Sequence, residues 1–122
     1  MNNYEIIKLS GTTDNSGDAT VNAPRAFVGW LECIDLEISD LAATADVTCS
    51  IQSTDSGNAY NVLVQADSKT DKRYYPRTLE HLDTDGSDLS SHTRHFVNGK
   101  PRVVVAQGGN TKVFTATFII WK

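Results

Sequence analysis

Helical periodicity is what this sequence most lacks. No segment longer than about ten residues repeats its apolar side chains every 3.6 positions. Nor does any apolar run approach the roughly 18–20 residues of a membrane span, so no membrane partner is expected. Cysteine is scarce: Cys33 and Cys49 stand far from any CxxC spacing, which argues against zinc and against a disulfide scaffold. They read as reduced, buried, structural thiols, although their places in neighbouring predicted strands leave a bridge open. The start Met1-Asn2-Asn3-Tyr4-Glu5 has no basic stretch followed by an apolar one, so synthesis and folding in a cytosol are expected. Phosphate-binding, dinucleotide-binding, nucleophile-elbow and HExxH patterns are missing, and no acids are placed across a cleft. No catalytic residue, cofactor or metal is therefore assigned.

Neither acidic nor basic side chains dominate, with 15 of the first and 11 of the second. A net charge of -4 speaks against a nucleic-acid partner held through a broad basic face. Its distribution is uneven: residues 1–66 hold two basic and nine acidic side chains, and residues 67–122 nine basic and six acidic. Beyond ordinary solvated surface, that asymmetry suggests copies of one chain meeting through opposite patches.

Short period-two segments, by contrast, recur from end to end. Tyr4–Leu9, Ala19–Asn22, Ala26–Ile38, Asp46–Gln52 and Ala59–Gln65 read as strands, and Thr54–Asn58 as a turn. In Ala26–Ile38 the alternation changes partway: Asp35 and Glu37 oppose Ile34, Leu36 and Ile38, with Glu32 out of pattern and Gly29 the expected place of a bulge or bend. Leu41–Ala45 has room for one helical turn. The closing stretch Phe96–Trp121 reads as two long strands joined in a hairpin at Gly108-Gly109-Asn110. Along its second strand, Phe114, Ala116, Phe118 and Ile120 share one face, and Val113, Thr115, Thr117, Ile119 and Trp121 the other. That second face ends in large apolar groups, which predicts a contact beyond the chain. The expected fold is all-β: a single-domain, jelly-roll-like β-sandwich over residues 1–122.

Residues 67–94 break the rhythm and read as one long polar loop or arm. Tyr74-Tyr75-Pro76-Arg77 near its start offers two amphipathic rings, a fixed φ and a guanidinium, a combination suited to partner binding. An alternative role for one of the tyrosines is to plug the end of the sandwich. Tyr74, Tyr75, Arg77 and Trp121 are the candidate partner-binding residues. His81, His92 and His95 read as loop histidines, since on an extended segment His92 and His95 point to opposite faces. Asp83, Asp85 and Asp88 alternate around Gly86 as in a calcium loop, but without the closing glutamate or flanking helices.

Tyr74-Tyr75-Pro76-Arg77, Asp83-Thr84-Asp85-Gly86, Asn98-Gly99-Lys100-Pro101-Arg102-Val103-Val104-Val105 and Gly108-Gly109-Asn110 together resemble the capsid decoration (cement) proteins of tailed bacteriophages, small structural proteins of the virion. The resemblance implies a homotrimer bound to the major capsid protein on the capsid exterior, made in the host cytoplasm and without enzymatic activity. Two other readings stand beside it. One is a neck or tail component of the same particle. The other is a carbohydrate-binding β-sandwich with Trp30, Tyr74, Tyr75 and Trp121 as stacking residues.

Overall fold

The computed structural model describes residues 3–81 and 88–122, apart from the side chains of 79–81 and 88–90. Among these residues there are ten strands and no helix: β1 (Tyr4–Thr12), β2 (Ala19–Asn22), β3 (Phe27–Glu37), β4 (Asp46–Ser53), β5 (Ala59–Gln65), β6 (Lys72–Tyr74), β7 (Arg77–His81), β8 (Asp88–Arg94), β9 (Phe96–Ala106) and β10 (Val113–Trp121). The chain is all-β, as its period-two patterning predicts.

Two strands of eleven residues, β3 and β9, set the architecture. They pair only where Phe27–Trp30 meets Phe96–Gly99. Beyond that corner each changes partner along one edge: β3 takes β6, and β9 takes β2. Along its other edge β3 keeps β10 and β9 keeps β4. The eight-stranded sheet thus folds over into two layers, β1-β10-β3-β6 and β2-β9-β4-β5. Between them Phe118, Ile120, Leu31, Ile34 and Leu36 of one layer pack in the same cluster as Val47, Cys49, Ile51, Val97 and Val103 of the other. Each such side chain gains about 1.5–3 kcal/mol on leaving water, so the sandwich is held by the alternation read in the sequence.

Five expectations need correction. β9 and β10 do not form a hairpin; they lie in opposite layers, and residues 107–112 cross between them. Positive φ falls at Gln107, Gly109 and Thr111, and the crossing is tied to the loop after β1. Thr13 Oγ1 donates to the Gly109 carbonyl at 2.6 Å and accepts from the Lys112 amide at 2.8 Å.

Residues 67–94 are not one long loop. β6 extends the edge of β3 through Ile34↔Tyr74, Asp35↔Arg73 and Leu36↔Lys72, and β7 and β8 pair as a separate two-stranded sheet. Strand formation needs only backbone pairing, whereas period-two hydrophobicity appears only where one face is buried. Strands without such alternation are therefore silent in the sequence. Asp83 and Asp85 lie outside the described residues, as does the side chain of Asp88.

Gly29 lies in the corner where β3 meets β9, but the bulge in β3 is at Glu32. Ile120 pairs with Leu31 and Ile119 with Cys33, which leaves Glu32 as the extra residue. The cysteines, finally, are not on neighbouring strands, since β9 separates β3 from β4. Both are free thiols. Leu41–Ala45 has no helical turn; a tight turn over Ile38–Leu41 leads into it and a second closes Ala42–Ala45.

Candidate functional site

The bulge shapes the outer face of the first layer. Before Glu32 the odd positions Phe27, Gly29 and Leu31 of β3 point inward; after it the even positions Ile34 and Leu36 do. Val28, Trp30, Cys33, Asp35 and Glu37 all fall on the outer side, with Glu32 swung out among them. On this same side β1 presents Tyr4 and Ile6, and β10 presents Ile119 and Trp121.

Antiparallel register then lines up four aromatic residues. Tyr4 pairs with Trp121, Trp121 with Trp30, and Trp30 with Phe96. Directly paired positions share a face, so the row crosses β1, β10, β3 and β9 at the end of the sheet. The rings meet in two couples: Tyr4 and Trp121 edge to face at 4.7 Å and 82°, and Trp30 and Phe96 at 5.1 Å and 69°. Trp30 is 42% exposed and Phe96 49%. Tyr60 of β5 extends the cluster by donating its hydroxyl to the Phe96 carbonyl at 2.7 Å.

Two hollows adjoin the row. One, of about 290 Å³, is lined by Trp30, Trp121, Thr93 and Arg94, and so lies against both couples. The other, of about 360 Å³, is floored by Cys33, Ile6 and Ile119 and walled by Tyr4, Glu32, Arg73 and Tyr75. Burial pushes the Cys33 thiol above its usual pKa, which keeps it protonated and unreactive.

Paired charges frame the hollows. Arg73 holds Asp35 with two parallel hydrogen bonds of 2.6 and 2.9 Å, and this arginine keeps the Asp35 carboxyl below the usual carboxylate range. Arg94 reaches Glu32 at 3.2 Å, with Arg77 farther off at 4.0 Å. Desolvation, with help from Arg77, lowers the pKa of His95, leaving it neutral near pH 7. Cations from residues 67–122 therefore meet acids from residues 1–66 inside one chain. Lys122 on Glu5 at 2.9 Å is a further case. Among the described residues no three His, Cys, Asp or Glu side chains come together to hold a metal ion.

The four candidate partner-binding residues separate. Trp121 is in the row and Tyr75, 56% exposed, stands at the rim of the larger hollow. Tyr74 turns the other way: it packs against the core and donates its hydroxyl to Gln65 at 3.2 Å, so it is the plug of the pair. Arg77 folds back on the chain, donating to the carbonyls of Glu32 at 3.1 Å and Pro76 at 2.8 Å. Sequence patterning assigns no binding role to Tyr4, Phe96, Glu32, Arg73 or Arg94, although Glu32 stands out of the alternation. Only register brings them in, although Tyr4 and Trp121 at opposite ends of the first and last strands carry a hint of it.

No protein-family model matches the chain. A stromal cell-derived factor 2-like protein of Arabidopsis thaliana is 29% identical over 104 residues, covering 78% of this chain. The chain spans about half (47%) of the length of that curated relative. Among solved structures, a family 29 carbohydrate-binding module is similar with a TM-score of 0.48 at 10% identity, over 98% of this chain and 78% of that one. A module named CBM32-3, from a family 31 glycoside hydrolase of Clostridium perfringens, is similar with a TM-score of 0.44 at 14% identity, over 94% and 75%. Both are loose likenesses of architecture.

Proposed function

We propose that this chain is a non-catalytic binding module whose outer face takes a carbohydrate. The observation that carries the reading is the in-register row Tyr4, Trp121, Trp30 and Phe96. Sugar rings offer C–H-rich faces that stack on aromatic rings, and aromatic side chains supply contact area at little entropic cost. Glu32, Arg73 and Arg94 at the hollows provide planar groups able to hydrogen-bond adjacent hydroxyls. Mixed apolar and polar lining of this kind is what small-ligand sites use. The architectural neighbours are themselves carbohydrate-binding modules, but the proposal stands on the aromatic row. Its test is calorimetric titration with a panel of oligosaccharides. Trp30→Ala should weaken the best ligand by about tenfold to a hundredfold with an unchanged fold by circular dichroism. Binding unaffected by Trp30→Ala would exclude the face as the site.

A second reading, the virion decoration protein that the sequence resembles, has its own support. The apolar surface extends past the row to Ile6, 64% exposed, and Val28, 59% exposed. Aliphatic groups of this kind fit a protein partner better than a sugar. On this reading the outer face meets a capsid lattice, or other copies in a homotrimer. Light scattering would then give three times 13.3 kDa, and Ile6→Asp would dissociate the assembly. A monomer at every concentration that also fails to bind capsids would remove this reading.

A further inference from the structure

Building on the carbohydrate reading, we infer that the ligand is an extended, uncharged, soluble oligosaccharide that lies across the strands and is roughly three or more units long.

Direction follows from the row. Its four members sit on successive strands, so it runs at right angles to them. Adjacent strands are about 4.8 Å apart, and three intervals make the row roughly 14 Å long. A pyranose in an extended chain advances by about the same distance as one strand, so the row matches about three units. A single sugar in the hollow against Trp30 and Trp121 would leave the one beside Tyr4 empty, whereas a chain would fill both together.

Ring geometry selects a soluble chain. The couples meet at 82° and 69°, so their rings are not coplanar and form no flat platform. A crystalline polysaccharide surface would meet ring edges, whereas a free chain can twist to follow a corrugated wall.

Charge selects a neutral one. Around the hollows Arg73 is committed to Asp35, and Arg94 to Glu32. A glycan carboxylate would have to displace one of these acids or lie beside it, at a cost in like-charge repulsion. Hydroxyls avoid that conflict: they accept from the remaining guanidinium N–H groups and donate to the carboxylates while both ion pairs stay closed.

The test is calorimetric titration of the full chain with β-1,4-linked gluco-, manno- and xylo-oligosaccharides and α-1,4-linked gluco-oligosaccharides. Each is taken from monosaccharide to hexasaccharide, with oligogalacturonides as the anionic series and crystalline cellulose as an insoluble probe. In the preferred series affinity should rise about tenfold per added unit up to a tri- or tetrasaccharide and then level off. The matching anionic length should bind at least about tenfold more weakly, and crystalline cellulose should retain nothing. Tyr4→Ala and Phe96→Ala, at opposite ends of the row, should each move the plateau to a shorter chain, while Trp30→Ala lowers affinity at all lengths. A monosaccharide binding as well as the tetrasaccharide, a preference for the anionic series, retention on crystalline cellulose, or a plateau that neither end variant moves would overturn the inference and leave carbohydrate binding intact. No binding to any saccharide would instead remove the carbohydrate reading itself.

Discussion

Adding one methyl group at Gly29 probes the contact on which the aromatic row depends. Gly29 lies between Val28 and Trp30 on β3, with φ at 156°. A Cβ there would collide with the carbonyl oxygen of Trp121 and stand 2.7 Å from Ile120 Cγ2. Neither neighbour can swing away, because one is backbone and the other a fully buried side chain. Backbone strain for a non-glycine residue costs about 1–3 kcal/mol, and overpacking about as much again. Gly29→Ala should therefore lose roughly 2–6 kcal/mol, a large share of the 5–15 kcal/mol typical of a domain.

For a chain of this size that amounts to a fall in Tm of roughly 8–24 °C, at about 4 °C per kcal/mol. Gly57→Ala is the control. Gly57 also has positive φ, at 75°, but nothing lies within 4 Å of an added Cβ, so only the conformational cost of about 1–2 kcal/mol remains. Urea unfolding gives both energies. Near-UV circular dichroism reports whether the paired Trp30 and Trp121 keep their mutual arrangement, which Gly29→Ala should disturb and Gly57→Ala should not. Equal losses in the two variants, with the aromatic signal intact in both, would refute the claim that close backbone approach fixes this corner.

The Arg73–Asp35 pair should make stability depend on acid. Because the folded pKa of Asp35 is depressed below its unfolded value of about 3.9, its contribution is complete above that value and is lost as pH falls through the folded one. Asp35→Asn should thus cost about 1 kcal/mol or less near pH 7, in keeping with a solvent-accessible pair, and nothing once the pH is low enough to protonate Asp35. Urea unfolding of both proteins from pH 7 down to about 2 checks this, and a gap that stays constant to the lowest pH would contradict it. The two adjacent tyrosines should separate cleanly. Tyr74→Ala should destabilise the fold by about 2–4 kcal/mol through lost packing, while Tyr75→Ala should shift Tm little and weaken ligand binding about tenfold. Thermal melts and titration together decide, and the opposite assignment would mean that Tyr75 is the plug.

The sandwich core was legible because burial writes itself into sequence. Ala19–Asn22 and Ala59–Gln65 have the expected bounds, and Asp46–Gln52 falls one residue short of β4. β4 alternates because one face meets the core, whereas β2 and β5 reach it only through Ala19, Val21, Val62 and Leu63. The change of parity in Ala26–Ile38 was also visible at Glu32, though glycine chemistry drew the bulge toward Gly29. What stayed hidden were features carried by the backbone alone. β6 sends only Tyr74 to the core, and among the described side chains β7 and β8 add none to it. The crossing at 107–112 uses the turn residues of a hairpin, so local composition could not say which layer β10 would join.

The site was harder to read for a related reason. Its row is a product of register between segments as far apart as Tyr4 and Trp121, and no local pattern records which residues stand opposite one another. The bulge adds a second long-range dependence. Without the extra residue, Cys33, Asp35 and Glu37 would keep the inward parity of Leu31, and Ile34 and Leu36 would turn outward. Two carboxylates would then face the core, which the fold could not tolerate unpaired. One inserted position therefore reconciles an apolar interior along all of β3 with a polar wall beside Trp30. It places Asp35 where β6 can deliver Arg73 and leaves Glu32 free to reach Arg94 at the end of β8. Part of the charge asymmetry between the two halves of the chain is met within one molecule: Arg73 and Arg94 of the later strands fold over a face where β3 supplies Asp35 and Glu32. The outer face keeps its aromatic rings open while Asp35 and Glu32 beside them are paired with arginines, and for that reason a neutral ligand, or an apolar partner surface, suits it better than an ionic one.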